Sequence, residues 1–393
     1  MIDFRYHIVS LIAVFMALAV GIVIGAGPLR DYLAEELSGQ VDQLRVERDE
    51  LRQALEEAEA DGAETAEFVS AASPVLLEGA LEGRTVAVVQ LPGAEGDVVE
   101  AVLGRLDQAG AQVSARTEIT QDWVDPGQRA FRSGIAGNIA PYLNPQPGDD
   151  ASDDQVLGMA LGQALTLRDP ESLNQASEEA EAMYELLISS GLIGEVEEPA
   201  EPAYATVVIA DTAETEDPEE AQQRNAVLSV TLTGLSQTGE GNVLAGAARN
   251  DGDLVLAVRD QEALSSAIST VDGVDLITGQ VTVPLALAAD IADNTAAYGT
   301  SDSAQEGIPG DVSLSSPDPA EFAPGSPDAP ATDDALADED TDGSDGSDGS
   351  DGSGNGDGGD GADVDPEGTD GEGGADLDSG AADGEVRDTG GGG

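Results

Sequence analysis

Few side chains in this sequence can act as catalytic bases or nucleophiles. His7 is the single histidine, cysteine is absent, and the 15 residues counted as lysine or arginine are all arginines. His7 stands directly before the apolar run that begins at Ile8, so the rest of the chain has no histidine base and a histidine-dependent hydrolase triad is excluded there. The lack of cysteine excludes a thiol nucleophile and a zinc finger. Paired carboxylates could still carry acid–base chemistry among the 79 acidic residues, but no spacing singles out a pair. The sequence thus predicts a protein that is not an enzyme.

Two aspartates stand where an α/β protein often binds a ligand. Asp272 and Asp275 follow an apolar extended run at 267–271 and precede a helical pattern that begins at Thr278. Side chains at the end of a strand can face a ligand. The competing interpretation is that both residues cap the loop and the start of the helix, and the pattern favours this structural role.

A glycine-containing turn at 92–96 follows a predicted strand and opens a predicted helix, which is where phosphates often bind. The turn has neither the GxGxxG spacing nor the Gly-Lys-Ser/Thr ending of phosphate-binding loops. Glu95 and Asp97 would also repel a phosphate. The pattern therefore predicts a structural turn.

Acidic residues near the C-terminus match the first half of a calcium loop. Asp338, Asp340 and Asp342, followed by Gly343, fit the start D-x-D-x-D-G. The twelfth position is Gly349 rather than glutamate, and no helical pattern flanks the segment. These aspartates are candidate calcium ligands, but a flexible acidic tail with a chance match is the favoured interpretation.

The charge balance excludes nucleic acid as a partner. The 393 residues carry a formal net charge of −64, which repels a phosphate backbone and an anionic lipid surface alike. Contact with a membrane is therefore expected only through an apolar segment. Such a segment is the uncharged run from Ile8 to Gly27, which is long enough for one helix across a hydrocarbon layer.

The residues on either side of this run indicate its orientation. The leading residues 1–7 include Arg5 and the terminal amine, whereas Arg30 on the far side is followed by acidic residues. The short leading segment is therefore expected in the cytoplasm and the bulk of the chain outside it. A cleaved secretory signal is the alternative, since Gly25 is a small residue of the kind that precedes a cleavage site. The run is longer than a signal core and Pro28 would hinder cleavage, so we predict a retained single-pass anchor in the cell membrane.

A heptad pattern follows the anchor and predicts a coiled-coil stalk over residues 29–62. Apolar residues fill the a and d positions, with Arg48 as the one polar exception. The apolar positions are Ala34, Leu37, Val41, Leu44, Leu51, Leu55 and Ala58. Within the anchor, Gly21 and Gly25 would let two helices approach closely. These features together predict a homo-oligomer, and the alternative is a single amphipathic helix packed on the following domain.

An α/β domain is predicted at 84–310, because β-branched apolar runs alternate with helical patterns. The predicted strands are 84–91, 112–120, 204–210, 241–247 and 267–271, and the predicted helices are 97–109, 154–165, 173–190, 226–236 and 278–293. The order of strand, helix and strand at 84–120 indicates a parallel sheet. The stretch 195–202, rich in proline and glutamate, is predicted as a loop or insertion. The glycine- and aspartate-rich segment 311–393 is predicted to be a disordered acidic tail.

The opening of the chain is distinctive over its full length, MIDFRYHIVSLIAVFMALAVGIVIGAGPL. Further distinctive segments are LPGA at 91–94, QAGAQV at 108–113, STVDGVDLITGQ at 269–280 and Tyr298-Gly299 before Pro309. In these segments the chain resembles, over about residues 1–310, the copper transporter family of actinobacteria typified by mycobacterial copper transport protein B. The resemblance implies an envelope protein that keeps intracellular copper low, as a channel or export component of the outer envelope. Copper would then be the transported ion rather than a cofactor.

Copper ligands are scarce for such a role. Copper(I) prefers thiolate, thioether and imidazole ligands, and the chain offers one histidine, four methionines and no cysteine. His7 and Met16 are the candidate copper ligands, although nine residues separate them by about 13 Å along a helix. One chain therefore cannot join them at one ion, and an interfacial histidine and a core methionine are the favoured roles.

Three hypotheses of function follow. Copper export or copper homeostasis rests on the resemblance. The main alternative is a non-enzymatic scaffold that binds other envelope proteins, and the scarcity of soft ligands favours it. A carboxylate-based hydrolase of the cell wall is the third, and it would need two facing acids in a cleft of the domain. A membrane barrel is not predicted, because aromatic residues make up 3% of the chain and the strands look continuously apolar.

Overall fold

The computed structural model describes residues 4–26, 28–197, 199–212 and 217–323. Two N-terminal helices precede a mixed α/β domain. The candidate calcium ligands Asp338, Asp340 and Asp342 lie outside the described residues, as does most of the predicted tail.

The first helix, α1, spans Phe4–Ala26 and is solvent-exposed from Phe4 to Gly25. The most apolar 18 residues of this stretch have a mean hydropathy of 2.8, and the helix is long and apolar enough to cross a membrane. The helix begins earlier than the predicted apolar run, because Arg5 and His7 continue the helical backbone without contributing to the apolar segment.

The second helix, α2, spans Pro28–Leu77 and extends beyond the predicted stalk. Its middle part is exposed, whereas its last turns join the core of the domain. Ser73 and Leu77 are fully buried, and Val69 packs at the edge of the same core. The Arg105 guanidinium donates to Ser73 Oγ at 2.8 Å, so a hydrogen bond also fastens the end of α2 to the domain.

A seven-stranded sheet forms the centre of the domain, in the order β3-β2-β1-β4-β5-β6-β7. The strands are β1 Thr85–Gln90, β2 Gln112–Ile119, β3 Ile193–Glu197, β4 Ala205–Ile209, β5 Gly241–Gly246, β6 Ser269–Asp272 and β7 Ala297–Tyr298. Every neighbouring pair is parallel except β2 with β3. The predicted α/β class and the predicted parallel sheet are confirmed.

Strand β3 corrects the prediction of a loop over 195–202. Glu195 pairs with Thr117 and Gly194 pairs with Glu118, so the first part of that stretch is an antiparallel edge strand. Only Ile193 is buried in β3, since one side of the strand faces solvent. An edge strand that carries glutamates shows no apolar alternation, which is why its sequence resembles a loop.

The helices of the domain lie on both faces of the sheet. They are α3 Gly96–Gln108, α4 Gln121–Val124, α5 Arg129–Ile139, α6 Asp153–Thr166, α7 Glu178–Ser189, α8 Pro218–Leu235, α9 Leu254–Arg259, α10 Glu262–Ser265 and α11 Ile277–Ile291. Short 3-10 turns occur at Pro126–Gln128, Ala140–Tyr142 and Pro319–Phe322. The apolar sides of α3, α11 and the end of α2 form one core with one face of the sheet. Helices α4 to α10 cover the other face with a second core.

Two predicted helix starts were wrong. Helix α7 begins at Glu178 rather than at 173, because the Ser177 hydroxyl caps it by accepting from the N–H of Ala180. Helix α8 begins at Pro218 rather than at 226, because the Asp217 carboxylate accepts from the N–H groups of the first turn. Proline at the first helical position after an aspartate is a typical start signal.

Helices α6 and α8 approach so closely that glycine is required at their crossing. A Cβ atom added at Gly158 would lie 2.0 Å from the carbonyl oxygen of Thr231, and one at Gly234 would lie 2.0 Å from that of Gln155. Neither backbone oxygen can move aside as a flexible side chain could. These glycines therefore set the distance between the two helices.

The chain stays in contact with the domain beyond Gly310, where the sequence predicts the tail to begin. The Arg84 guanidinium donates to the carbonyl of Ser315 at 3.0 Å, and the N–H of Arg168 donates to the carbonyl of Phe322 at 3.0 Å. The Phe322 ring also meets Tyr204 edge to face, at a centroid distance of 6.2 Å. Residues 311–323 thus form a strap on the domain and differ from the predicted tail.

Candidate functional site

The candidate site lies at the carboxyl ends of the parallel strands. Strand β1 has β2 on one side and β4 on the other, and the connections after these strands leave in different directions. Ligands of open α/β sheets bind at such a switch point, outside the carboxyl ends of the strands. The loops that follow β1, β4, β5 and β6 therefore line the candidate site.

The loops after β1 and β4 meet through polar contacts. The Thr212 hydroxyl donates to Glu95 Oε1 at 2.9 Å, and Glu95 immediately precedes α3. Gly93 has φ +91°, and a Cβ atom there would lie 2.8 Å from Oδ2 of Asp211. Glycine is therefore needed at this turn both for its backbone conformation and for the close approach of Asp211.

An arginine ties the loop after β5 to those after β4 and β6. The Arg249 guanidinium donates to the carbonyl of Thr212 at 2.9 Å and to Asp275 Oδ2 at 3.1 Å. The backbone N–H of Arg249 donates to Asp253 Oδ2 at 2.6 Å, which fixes the loop itself. The Arg249 and Asp275 side chains are 54% and 30% exposed. This ion pair is accordingly open to solvent.

Asp272 forms a buried ion pair deeper in the same edge. Its Oδ2 accepts from Arg259 at 2.8 Å, and the two side chains are only 3% and 5% exposed. The hydroxyl of Ser301 and the N–H of Thr300 also donate to the Asp272 carboxylate, at 2.6 and 2.8 Å. Burial by itself would raise the pKa of Asp272, but hydrogen bonds from Ser301, Arg259 and Thr300 outweigh it and hold the pKa below its usual value.

The same arginine satisfies the other acceptors of this corner. Arg259 donates to the carbonyl of Tyr298 at 2.7 Å and to the hydroxyl of Thr270 at 2.9 Å. A Cβ atom at Gly299 would overlap the carboxylate of Asp272, so glycine lets the loop close over the ion pair. The network therefore joins β6 to β7 and has the geometry of a structural bridge.

The predicted aspartates thus belong to two different ion pairs. Asp272 binds Arg259 and Asp275 binds Arg249, so they do not form a carboxylate pair that faces one ligand. Neither carboxylate caps the start of α11, which Leu276 precedes without a side-chain cap, so the predicted helix-start role is wrong. Asp272 instead accepts from the N–H groups of Thr300 and Ser301 and so fixes the loop after β7. The turn at 92–96 likewise presents Glu95, engaged with Thr212, at the start of α3. A carboxylate in that position disfavours phosphate, as the sequence predicts.

Sequence reasoning missed the buried arginines, which organise the domain. Arg84 pairs with Glu240 at 2.7 Å and Arg132 pairs with Asp154 at 2.8 Å, each with the arginine almost fully buried. Arg168 lies over the ring of Tyr204, 4.0 Å from its centroid. The available signal was weak: Arg132 and Arg168 each follow an apolar residue and Arg84 directly precedes strand β1, in a chain that uses no lysine. Arginine suits buried pairs because its planar group makes several directed hydrogen bonds.

A second concave surface lies away from the strand ends, between α7 and β3. This groove has a volume of 920 Å³, and its lining combines Glu181, Glu185, Glu195 and Glu201 with apolar residues of α6 and α7. The groove is acidic. Glu181 and Glu185 lie on α7, Glu195 lies on β3 and Glu201 lies in the loop that follows, and among the described residues they form no metal-binding cluster.

The candidate copper ligands do not come together within the described chain. His7 and Met16 both lie exposed on α1, nine positions apart in one helix. Among residues 4–323, outside the gaps already given, no three His, Cys, Asp or Glu side chains are grouped to hold a metal ion.

The fold and this edge define a class of protein. It is a mixed α/β domain on a mostly parallel seven-stranded sheet, preceded by one apolar helix and one long helix, and its strand ends carry the domain's own ion pairs. Residues 1–309 match the model of the family described as "Copper transport outer membrane protein, MctB". The chain therefore belongs to the MctB family, a membrane-associated copper transporter family and not an enzyme family.

Curated relatives agree with this assignment. The protein named "Copper transporter MctB" of Mycobacterium tuberculosis (strain ATCC 25618 / H37Rv) is 31% identical over 302 residues, which cover 73% of this chain and 92% of the relative. The protein of the same name from Mycobacterium leprae (strain TN) is 28% identical over 301 residues, with the same coverage. A role in copper homeostasis follows from the family alone.

Proposed function

We propose that this protein is a membrane-anchored envelope protein that takes part in copper export or copper homeostasis. The observation that carries the proposal is the extent of the family match, because residues 1–309 include the apolar helix, the long helix and the complete sheet. In this proposal copper is the transported ion and not a resident cofactor.

The proposed topology is a single pass, with residues 1–7 in the cytoplasm and the α/β domain outside the cell membrane. Support comes from the uncharged part of the apolar helix, whose 18 residues from Ile8 to Gly25 would span about 27 Å and so come close to the thickness of a hydrocarbon layer. Arg5 before the uncharged run and the acidic residues after it favour this orientation. Cysteine accessibility labelling in intact cells tests it, since the chain has no cysteine of its own. A cysteine on the exposed surface of the domain, such as Tyr142→Cys, should react with an impermeant maleimide without cell lysis, and reaction only after lysis would contradict the topology.

The copper role is tested in a strain that lacks the gene. Cellular copper content and survival in copper are measured in the deletion strain and after return of the full-length protein, with zinc content as the control for metal specificity. Copper accumulation that the full-length protein reverses is the expected result. Normal copper content and normal survival in the deletion strain would overturn the proposal.

His7 and Met16 are proposed to contact copper only where oligomerisation brings copies of each together, because one helix holds them too far apart to share an ion, and they are tested in the same strain. His7→Ala with Met16→Leu should reduce the rescue of copper tolerance at equal protein level. Met159→Leu is the matched control, because Met159 is buried in α6 away from the apolar helix. Full rescue by the double variant would remove both residues from the proposal.

A scaffold without a direct copper role is the second candidate. The observation that favours it is the solvent-exposed apolar stripe along α2, which includes Leu44, Leu51 and Leu55. Exposed apolar stripes of this kind are typical of protein–protein contacts. Two results together would favour this function. The native protein should crosslink to other envelope proteins, and the deletion strain should lose cell-envelope integrity while its copper content stays unchanged.

A further inference from the structure

The described part of α2 carries a row of exposed apolar side chains on one side. Val41, Leu44, Leu51 and Leu55 are 44%, 63%, 66% and 58% exposed. Their spacing places them at the a and d positions of a heptad, where coiled coils bury apolar residues. Burial of such side chains against another surface is favourable, because apolar area leaves water.

Charged residues border this row in a pattern that selects a partner. Glu47 precedes the a position Arg48, and Arg52 follows the d position Leu51, so they occupy a g and an e position. Within the described residues Glu47 and Arg52 form no ion pair in their own chain. In a parallel two-stranded coiled coil, a g residue faces the e residue five positions later on the partner. Glu47 of one copy would therefore meet Arg52 of the other, twice in each dimer.

A shallow depression lies between these charged residues on the surface of α2. Leu44, Glu47, Arg48, Leu51, Arg52 and Leu55 line this depression, whose volume is 440 Å³. In a coiled coil each a or d side chain enters a hole formed by four residues of the facing helix. The depression is lined by residues of the types that form such holes, at the positions that form them.

We propose that α2 joins two copies of this chain as a parallel two-stranded coiled coil, paired from Val41 to Ala58 with Glu47 against Arg52 of the second copy. Arg48 is the single polar a residue and lies beside Glu47 of the second copy, an arrangement of the kind that fixes register. The parallel direction rests on this charge pattern and on the proposed membrane anchor, since two copies in one membrane present α2 in the same direction.

The coiled-coil interface between the two copies, or seam, ends where α2 begins to pack on its own domain. Gly62 and Thr65 occupy the next a and d positions, and from Val69 onward α2 packs on its own core. The paired segment has 18 residues from Val41 to Ala58, about 27 Å of helix. Confinement of both copies to one membrane raises their effective concentration and so supports this short seam.

Site-directed crosslinking tests the proposal, because the native chain has no cysteine. The full-length Leu51→Cys protein in membrane vesicles, treated with a short bismaleimide, should form a species of about twice the 39.8 kDa chain mass. Gln53→Cys, two positions away on the opposite side of α2, is the matched control and should crosslink several-fold less. Equal crosslinking of the two variants, or no crosslinking of Leu51→Cys, would overturn the seam.

Charge reversal tests the register and the number of strands. Glu47→Arg in the Leu51→Cys background should reduce the crosslinked fraction several-fold, and the further change Arg52→Glu should restore it. Glu57→Arg makes the same change of charge away from the seam and should have little effect. Failure of the double reversal to restore crosslinking would overturn the proposed pairing, and a detergent-solubilised mass of three or more chains would overturn the two-stranded form. Copper content is measured separately in the same strains, so loss of the dimer and loss of the copper role are distinguishable.

Discussion

Replacement of Asp272 by asparagine should destabilise the domain strongly, although the change removes no side-chain volume. The carboxylate is buried with Arg259 and accepts four hydrogen bonds, from Arg259, from the Ser301 hydroxyl and from the N–H groups of Thr300 and Ser301. Asparagine keeps one acceptor oxygen and turns the other into a donor that faces donors. The guanidinium of Arg259 then remains buried without a counter-charge.

The size of the effect follows from this burial. Removing one partner of a buried ion pair costs about 3–5 kcal/mol, because an uncompensated charge stays behind. Arg259 keeps carbonyl and hydroxyl acceptors at Tyr298 and Thr270, which reduces the loss, so we expect about 3 kcal/mol, at the low end of that range. For a domain of this size each kcal/mol moves the midpoint by about 2–4 °C, giving a fall of about 6–12 °C in Tm.

The effect should depend on pH with a defined sign. The folded-state pKa of Asp272 lies below its usual value, and the unfolded-state pKa is about 3.9. The charged carboxylate therefore stabilises the fold fully at neutral pH, and this contribution is lost as the pH falls through the folded-state pKa. The difference between the native protein and Asp272→Asn should accordingly be constant near pH 7 and shrink below about pH 4.

Trp123 provides the assay, because it is the single tryptophan, is fully buried and donates from Nε1 to the hydroxyl of Thr231 at 2.9 Å. Its fluorescence reports the unfolding of the domain in the full-length, detergent-solubilised protein. Asp275→Asn is the matched control, since its partner Arg249 is largely exposed and such pairs contribute about 0–1 kcal/mol. A fall in Tm for Asp272→Asn no larger than that of Asp275→Asn would refute the reasoning.

Three further perturbations test other parts of the structure. Gly158→Ala should lower the free energy of unfolding by about 1–3 kcal/mol, because the added methyl group would meet a backbone oxygen of α8. Gly134→Ala has open space on α5 and should be neutral or stabilising by about 0.5–1 kcal/mol. Urea unfolding followed by tryptophan fluorescence compares the two variants, and equal losses would contradict the close packing of α6 on α8. A chain that ends at Gly310 should unfold more easily than one that ends at Ala323, by about 1–3 kcal/mol, because the strap satisfies a buried arginine donor; equal midpoints in the same assay would show that the strap does not stabilise the domain. Leu51→Asp should reduce the crosslinked dimer in the membrane several-fold without a change in domain Tm, and an unchanged crosslinked fraction would count against the coiled coil.

The central strands could be predicted because burial on both faces leaves a continuous apolar run. Strands β1, β4 and β5 are buried along almost their whole length, and all three fall within the predicted runs. Strand β3 could not be found in this way, since its edge position lets Glu195 and Glu197 face solvent. Only its pairing with β2 identifies β3 as a strand. Thr117 of β2 and Gly194 of β3, which are joined by a hydrogen bond, are 77 positions apart in the sequence.

The candidate site was located by sequence but its chemistry was not. Asp272 and Asp275 stand at a strand end, as predicted, yet the arginines that engage them come from elsewhere in the chain. Arg249 is 26 positions from Asp275, and Arg84 is 156 positions from its partner Glu240. No local pattern encodes such a pair, because only the packing of the sheet brings its members together.

These ion pairs also bear on where the protein can bind a partner. A ligand that took Asp272 from Arg259 would have to offset the cost of an unpaired buried charge, which is larger than most single polar contacts supply. The ion pairs at the strand ends therefore hold β6, β7 and the surrounding loops together. The exposed stripe of α2 has the opposite property, since Leu44 and Leu51 gain free energy when another surface covers them. Within the described chain, the long helix is therefore a stronger binding surface than the edge of the sheet, and changes at Leu51 should alter assembly where changes at Asp272 alter stability.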